Sequence, residues 1–349
     1  MGLPSTTTTK GGTLVHPLFR RKKFRTKNGK AMIKAKDYDK VVRRPAVLAS
    51  RLLDSPQALH FFYVTYFGKN LEMPCCNDHE RCVSDKGIND LSLDDIKATR
   101  ERLLLLVDRV QFEFADTKGN LGETRPLEQL PGERGCRSYI RLSTRLYSAA
   151  QNKDRGTIRN AQTDSIIAMT LLHELAHAAM NDVMGNYVED CFEESFVAEA
   201  GFELESRLFG LILAANPSYE GNETFWYHWQ TSWLLDVGYD RPDICCDRSK
   251  LGKRTLYRDL DSEFVLKLFD NRFWNGDYAK RGGVALLPPP VVNICQGRLS
   301  TWAEAYQAFP TSVKQLWLAS EGIAYQQEKL PELANPTYEI RKQISELED

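Results

Sequence analysis

Apolar residues recur at helical spacing along much of the chain. Residues 45–66 (PAVLASRLLDSPQALHFFYVTY) show this spacing on both sides of a Ser-Pro break, and residues 92–112 show it behind Ser92 and two aspartates. Serine is favoured as a helix N-cap, and acidic residues suit the first turn that follows. A third helical stretch extends from 164 to about 210. The pattern therefore predicts that helices dominate the fold.

One segment alternates with a period of two instead. Residues 137–147 (RSYIRLSTRLY) place apolar side chains at every second position, which indicates a half-buried strand. Turn-forming residues at 116–123 and 130–135 predict loops before this strand. A strand among helices predicts an α+β fold, with one helix-rich domain over residues 45–330.

Charge is distributed unevenly along the 349 residues, although the net charge is only −1. Residues 1–44 contain 13 Lys/Arg and two Asp, so the remainder of the chain carries a net charge of −12. A basic arm of this composition, with RRKKFR at 20–25, predicts disorder and attraction to phosphate groups. We therefore expect a disordered arm over 1–44 that binds nucleic acid, an acidic partner or a membrane. The polar residues 331–349 are expected to form a tail.

No targeting segment is evident in the sequence. The N-terminus MGLPSTTTTKGG contains no apolar core of a signal peptide, and the apolar run LLLLV at 103–107 is far shorter than a membrane span. We expect an intracellular protein, cytoplasmic or nuclear, whose eight cysteines are reduced thiols.

The chemistry is concentrated in the stretch LLHELAHAAM at 171–180. His173 and His177 are four residues apart, so on a helix both imidazoles lie on one face and can bind one metal ion. Glu174 is rotated about 100° from His173 and lies beside that metal, where it can take a proton from a water molecule. The pattern H-E-x-x-H predicts a Zn²⁺ site with Glu174 as the general base.

The motif must lie on a helix for this geometry to hold. Thr163 or Asp164 can cap the start of such a helix, and the residues from Asn181 to Gly185 can end it. Apolar residues surround both histidines, which makes a solvated helix surface a poor alternative.

The strand at 137–147, the HELAH helix and the acidic segment after it resemble the zincin metallopeptidases. In that family an edge strand lies above the active-site cleft and pairs with an extended substrate, while the helix below carries the zinc ligands. The resemblance covers residues 137–210 and implies that the predicted strand is such an edge strand. The metzincin extension is absent, because Met180 and Val183 occupy the positions of its Gly and His.

Among zincins, the gluzincins take their third zinc ligand from a glutamate on a second helix, and a later acid orients a zinc-binding histidine. The segment EDCFEESFVAEAGFELESRLFG at 189–210 contains candidates for this ligand. If the segment is helical, Glu199 and Glu203 share a face with two phenylalanines, whereas Glu194 and Glu205 project away. The resemblance therefore points to Glu199 as the third ligand and to Glu203 as the acid that orients His173 or His177.

Other ligands remain open. Glu193 lies on the apolar stripe of this helix, but it follows Asp190 by three residues, which is capping-box spacing. Glu194 is a further acidic candidate. His228, in the aromatic cluster FWYHWQTSW, could complete a three-histidine site similar to that of SprT-like proteases. The stretch EAGFELESRLFG is also similar to a pattern in fungal zincin-like proteins, and this similarity assigns no substrate.

Two weaker signals accompany the motif. Cys75, Cys76, His79 and Cys82 have spacing compatible with a structural zinc, but free thiols explain them equally well. Tyr227 or His228 could contact the substrate or stabilise an oxyanion, although core packing accounts for the same residues.

Two functional hypotheses follow from the sequence. The first is a zinc-dependent hydrolase, a peptidase, that activates water with Glu174. The second is a non-catalytic protein, with or without zinc, that uses its basic arm to bind a partner.

Overall fold

The computed structural model describes thirteen segments of the chain. These are residues 15–26, 31–72, 80–118, 120–129, 135–151, 157–185, 189–193, 199–209, 212–215, 227–230, 257–259, 262–287 and 294–295. Within them the chain is an α+β protein, as its hydrophobic pattern predicts. The predicted tail at 331–349 lies outside the described residues.

The segment that we predict to be a disordered arm is folded wherever it is described. Two 3₁₀ turns and the short strand β1 (Phe24–Arg25) precede the helix α1 (Ala35–Val41). Leu18, Phe19 and Phe24 are completely buried in the main core. The prediction of disorder from composition is therefore wrong for 15–26 and 31–44, because most of the large apolar residues there pack into the core. Residues 1–14 lie outside the described segments.

The predicted domain boundary at residue 45 is also wrong. Helix α2 (Arg43–Leu53) crosses it without a break. The Ser-Pro break is confirmed, since the Ser55 hydroxyl caps α3 (Pro56–Phe67) by accepting a hydrogen bond from the Ala58 N–H at 3.2 Å. Proline suits the first helical position because its missing N–H would have no intrahelical partner.

Helix α4 (Leu93–Leu106) begins where the sequence predicts and ends earlier. Ser92 and Asp95 form a reciprocal capping box at its start. The predicted helix continues to 112, but Val110–Ala115 forms strand β4 instead. Val110, Phe112 and Phe114 point into the core from alternate positions of β4, and this period of two decides in favour of the strand.

The main sheet has four strands in the order β1-β4-β6-β5. Strand β6 (Cys136–Ser143) lies inside the sheet, parallel to β4 and antiparallel to β5 (Gly122–Gln129). The predicted strand at 137–147 is therefore confirmed only as far as Ser143, after which helix α5 (Thr144–Gln151) follows. It is also not an edge strand. Among the described residues, the edge is formed by β5.

Helix α6 (Thr157–Met184) carries the HELAH motif and packs against β5, β6, α2 and the following helix α7 (Ala200–Phe209). Its 28 residues correspond to a length of about 42 Å. Thr163 and Asp164 lie inside α6, so neither is the N-cap that the sequence suggests. The predicted end is confirmed, because Gly185 follows α6 with a φ of 73°.

A second sheet, of order β2-β3-β7, joins β2 (Lys69–Glu72), β3 (Glu80–Val83) and β7 (Cys191–Phe192). A third sheet, of order β11-β10-β9-β8, joins β8 (Ile212–Ala215), β9 (Tyr227–Gln230), β10 (Tyr257–Asp259) and β11 (Ile294–Cys295). Helices α8 (Ser262–Lys267), α9 (Asn271–Phe273) and α10 (Ala279–Arg281) complete the described elements, with a π-helical turn at Trp274–Tyr278 and a 3₁₀ turn at Gly282–Leu286. In the described part of the chain, no helix is long and apolar enough to cross a membrane.

Candidate metal centre

The two histidines of the motif lie one turn apart on α6. Their ring centroids are 4.9 Å apart. Each imidazole is largely buried, and each turns its Nε2 toward the same carboxylate. Helical spacing therefore places both rings on one face, as the sequence predicts.

That carboxylate belongs to Glu199. Its Oε1 lies 3.2 Å from Nε2 of His173 and 2.8 Å from Nε2 of His177. The ligand atoms of these three residues all lie within 4.8 Å of one another, and together they form a group that could hold a metal ion. In tetrahedral zinc sites with bonds of about 2.0–2.1 Å, ligand atoms are separated by about 3.3 Å. Two imidazole nitrogens and one carboxylate oxygen are a donor set that suits a divalent cation such as zinc.

Glu199 owes its position to the start of α7 rather than to a helical face. Its backbone carbonyl accepts the N–H of Glu203 at 3.1 Å, and its Oε2 accepts the N–H of Phe202. One carboxylate oxygen thus accepts an N–H of the first helical turn, while the other faces the histidines. The sequence prediction assumed a helix through the whole of 189–210, but α7 begins only at Ala200.

Glu203, predicted to orient a histidine, does not contact either ring. Its Oε1 accepts a hydrogen bond from Nε of Arg207 at 2.7 Å. Arg207 also donates to Glu193 at 3.0 Å and to Nδ1 of His60 at 2.6 Å. The prediction for Glu203 is wrong because its carboxylate pairs with the buried guanidinium of Arg207, which lies one helical turn away.

Besides Glu199, the acids that contact the histidines are Glu205 and Glu189. Oε1 of Glu205 lies 3.0 Å from Nδ1 of His173, although the sequence predicts that this residue projects away from the face of Glu199 and Glu203. Oε1 of Glu189 contacts Nδ1 of His177. A carboxylate on Nδ1 keeps the proton there and leaves Nε2 free to bind a metal, which is a common arrangement around zinc. The sequence prediction missed both residues because it treated 189–210 as one continuous helix, whereas Glu189 and Glu199 precede α7.

Electrostatics follow from this packing. Burial lowers the pKa of both histidines, but the neighbouring carboxylates outweigh it. Glu199 and Glu205 raise the pKa of His173 well above its ordinary value. Glu189 and Glu199 do the same for His177. Burial raises the pKa of Glu199, yet the two imidazoles outweigh it and hold that pKa well below the usual range. Three carboxylates therefore surround the two imidazoles. The same concentration of negative charge also suits a divalent cation.

Glu174 lies beside the cluster and is buried beneath β5. The Thr124 hydroxyl, on β5, lies 2.7 Å from Oε2 of Glu174 and 2.9 Å from its backbone carbonyl. Burial raises the pKa of Glu174, while His173, His177 and the Thr124 hydroxyl act in the opposite direction. A Cβ atom at Gly122 would stand 2.4 Å from Oε1 of Glu174, so the strand passes directly over this carboxylate.

The other predicted site residues contribute less. Glu193 pairs with Arg207 and has a φ of 40°. Asp190 accepts a hydrogen bond from the N–H of Glu80 at 2.9 Å. The predicted capping box between Asp190 and Glu193 therefore does not form. Tyr227 and His228 belong to β9, but their side chains lie outside the described structure. Glu194, Cys75, Cys76 and His79 lie outside the described residues. Burial, then Asp190, raises the pKa of the Cys82 thiol to about 12.

Comparisons of the chain with protein-family models, curated proteins and solved structures find no match.

Proposed function

We propose that the protein is a zinc-dependent hydrolase that cleaves peptide bonds. The observation that carries the proposal is the convergence of His173, His177 and Glu199 on one point, with the carboxylate of Glu174 beside them. An H-E-x-x-H motif on a helix, next to a glutamate from a second element, is the ligand arrangement of metallopeptidases.

His173, His177 and Glu199 would hold the zinc ion. When bound, zinc supplies a Lewis acid that polarises a carbonyl group and lowers the pKa of a water molecule to about 7. The orientation of the histidines supports this role, because their Nδ1 atoms face Glu205 and Glu189 and their Nε2 atoms face Glu199.

Glu174 acts as the general base. Its carboxylate takes a proton from the attacking water and then passes it to the nitrogen of the leaving amine. Thr124 holds one oxygen of Glu174 at 2.7 Å, so the other oxygen, Oε1, is the one that handles the proton. The hydrogen bond from Thr124 on β5 fixes the orientation of the Glu174 carboxylate, so the base is already positioned for proton transfer.

The surrounding elements support a zincin-like catalytic domain. Strand β5 is antiparallel to its neighbour β6 and passes over the motif helix α6, and its outer side has no partner strand among the described residues. An extended peptide could pair with this edge and bring a carbonyl group above Glu174. In this proposal β5 takes the part that the sequence had given to residues 137–147.

The alternative remains a non-catalytic protein that binds nucleic acid, an acidic partner or a membrane through its basic residues at 20–44. The described part of that region is folded, and it exposes Lys34, Lys36 and Lys40 on and beside α1. These lysines add positive charge to a folded surface. Binding of a partner to this surface stays a prediction.

Glu174→Gln tests the proposed function. Because the amide cannot take a proton, we expect zinc content equal to that of the wild type and peptide hydrolysis reduced by at least about 100-fold. Glu199→Ala, by contrast, should lose zinc together with activity, whereas Glu101→Gln on the exposed side of α4 should change neither. Metal content is measured by atomic emission, and hydrolysis by digestion of an unbiased peptide library. A zinc-free wild-type protein, or full activity in Glu174→Gln, would contradict the proposal and favour the alternative.

A further inference from the structure

The carboxylate of Glu189 connects two parts of the candidate metal centre. Glu189 lies after the end of α6, in the segment that leads into β7. Its Oε1 contacts Nδ1 of His177, and its Oε2 accepts the N–H of Ala200 at 2.7 Å. Ala200 is the first residue of α7 and follows Glu199 directly. A single side chain thus contacts one proposed zinc ligand and the peptide group next to another.

We propose that Glu189 is a positioning residue that aligns His177 and Glu199 for metal binding. The inference rests on the proposed zinc site and adds a role that neither the motif nor its spacing assigns. Holding Ala200 fixes the peptide bond that carries Glu199, while holding His177 fixes the plane of its ring. The two ligands therefore keep their relative position through one rigid carboxylate rather than through two independent supports.

Both oxygens of Glu189 have to be acceptors for this to work. The Ala200 N–H is a donor of the first helical turn and has no partner within α7. His177 must carry its proton on Nδ1 if Nε2 is to bind a metal, so Nδ1 is a donor as well. Two donors facing one side chain call for a carboxylate, and the positive end of α7 further favours its negative charge.

Glutamine has the same shape and cannot meet this requirement. If its oxygen accepts from Ala200, its NH₂ group faces Nδ1 of His177 and favours the tautomer with the proton on Nε2, which cannot bind a metal. If the amide is reversed, its NH₂ group faces the Ala200 N–H, and two donors oppose each other. Aspartate keeps both acceptors on a side chain that is shorter by one methylene.

The test compares zinc affinity in the full-length wild type, Glu189→Asp and Glu189→Gln, by competition with a chromophoric chelator. We expect Glu189→Gln to bind Zn²⁺ about 10–100-fold more weakly than the wild type, with Glu189→Asp between them. The Co²⁺-substituted Glu189→Gln protein should also show weaker visible absorption bands, because its ligands depart from tetrahedral geometry. Glu80→Gln makes the same chemical change on the exposed face of β3 and should leave affinity and spectrum unchanged.

The outcomes separate positioning from folding and from the function itself. Thermal unfolding of the metal-free proteins shows whether a variant is folded, and affinities are compared only among folded variants. Equal zinc affinity in wild type and Glu189→Gln, or a Glu189→Asp variant no tighter than Glu189→Gln, would overturn the role of Glu189 and leave the zinc site standing. A wild type that binds no zinc would overturn both proposals.

A measurement on the wild type covers the case in which Glu189→Gln does not fold. In the zinc-loaded protein, the ¹⁵N resonances of the His177 ring should show a protonated Nδ1 that exchanges slowly with solvent. An Nδ1 without a proton, or one in fast exchange, would contradict the contact with Glu189.

Discussion

At the scale of single residues, Gly201 shows how closely α7 approaches the candidate metal centre. A Cβ atom at this position would stand 2.4 Å from Cγ and Nδ1 of His173. The His173 ring also packs edge-on against Phe202, with centroids 5.2 Å apart. The absence of a side chain at 201 therefore allows Glu205 and Glu199, on either side of it along the chain, to contact the same imidazole.

Gly201→Ala should for this reason destabilise the protein, although alanine is the better helix former by about 1 kcal/mol. We expect a loss of about 1–3 kcal/mol in the free energy of unfolding, together with weaker zinc binding, because the His173 ring has to move. Denaturant titration and chelator competition measure the two effects.

Gly276→Ala is the matched control. No atom lies within 4 Å of a Cβ built at Gly276, so the same substitution there should leave stability equal or slightly higher. If Gly201→Ala behaved like this control, the close approach of α7 to His173 would be contradicted.

The same scale shows which placements follow from local spacing. His173 and His177 lie on one face because they are four residues apart on a helix, and Glu174 lies beside them because it directly follows His173. The prediction for Glu203 is wrong, and Glu189 and Glu205 are missed, because their contacts depend on where α7 begins and on where Glu189 lies beside His177. A helical wheel drawn across residues 189–210 assigns side-chain directions to residues 189–193, which are not helical.

At the scale of elements, α6 carries a buried acid far from the metal centre. Asp164 is 8% exposed, and its Oδ2 lies 2.8 Å from Nη1 of Arg44 on α2. Burial raises the pKa of Asp164 from its ordinary value of 3.8 to about 6, despite the opposing effect of Arg44. The folded protein therefore holds this proton at pH values where the unfolded chain has released it.

The sign of the resulting pH dependence follows from linkage. Because the pKa is raised in the folded state, ionisation of Asp164 opposes folding, and stability falls as the pH rises from about 4 to about 6. Relative to Asp164→Asn, which does not titrate, the wild type should lose about 2 kcal/mol of unfolding free energy between pH 4 and pH 7. Urea titrations of both proteins across this range measure the difference.

Taking the difference between the two proteins removes the contribution of other titrating groups. A difference that stays constant with pH, or one in which the wild type gains stability with rising pH, would show that the Arg44 contact outweighs burial.

Elements differ in how well the hydrophobic pattern predicts them. Helices α3 and α4 begin where Ser55-Pro56 and Ser92 mark them, whereas α2 begins at Arg43 without a side-chain cap. Strand β5 (GETRPLEQ) has no alternation of apolar residues, and its Gly, Pro and charged residues disfavour strands. It forms because β6 offers a row of hydrogen-bonding groups, and Pro126 is tolerated because β5 is an edge.

At the scale of the whole molecule, the basic N-terminal region belongs to the core. Phe24 is completely buried, stacks on Phe112 at a centroid distance of 4.9 Å, and meets Tyr38 edge-on at 5.8 Å. The strand β1 that carries Phe24 pairs with β4 in the main sheet. Removing this side chain therefore affects the same core that supports the motif helix.

Phe24→Ala should lower the free energy of unfolding by about 3–5 kcal/mol, because it leaves a cavity among aromatic rings. Phe67→Ala removes the same side chain at a position that is 43% exposed and should cost much less. Denaturant unfolding of the two variants gives the comparison. Similar losses in both would mean that the N-terminal segment is not part of the core.

The sequence by itself determined the α+β class, the motif helix, and the side-by-side placement of His173, Glu174 and His177 on it, because these depend on local spacing and on the intrinsic properties of side chains. Only the tertiary structure decided which acids surround the histidines, which strand forms the edge above them, and that the described part of the basic region is folded. Each of these depends on contacts between residues far apart in the chain, and such contacts are selected by packing and charge pairing across elements rather than by any local pattern.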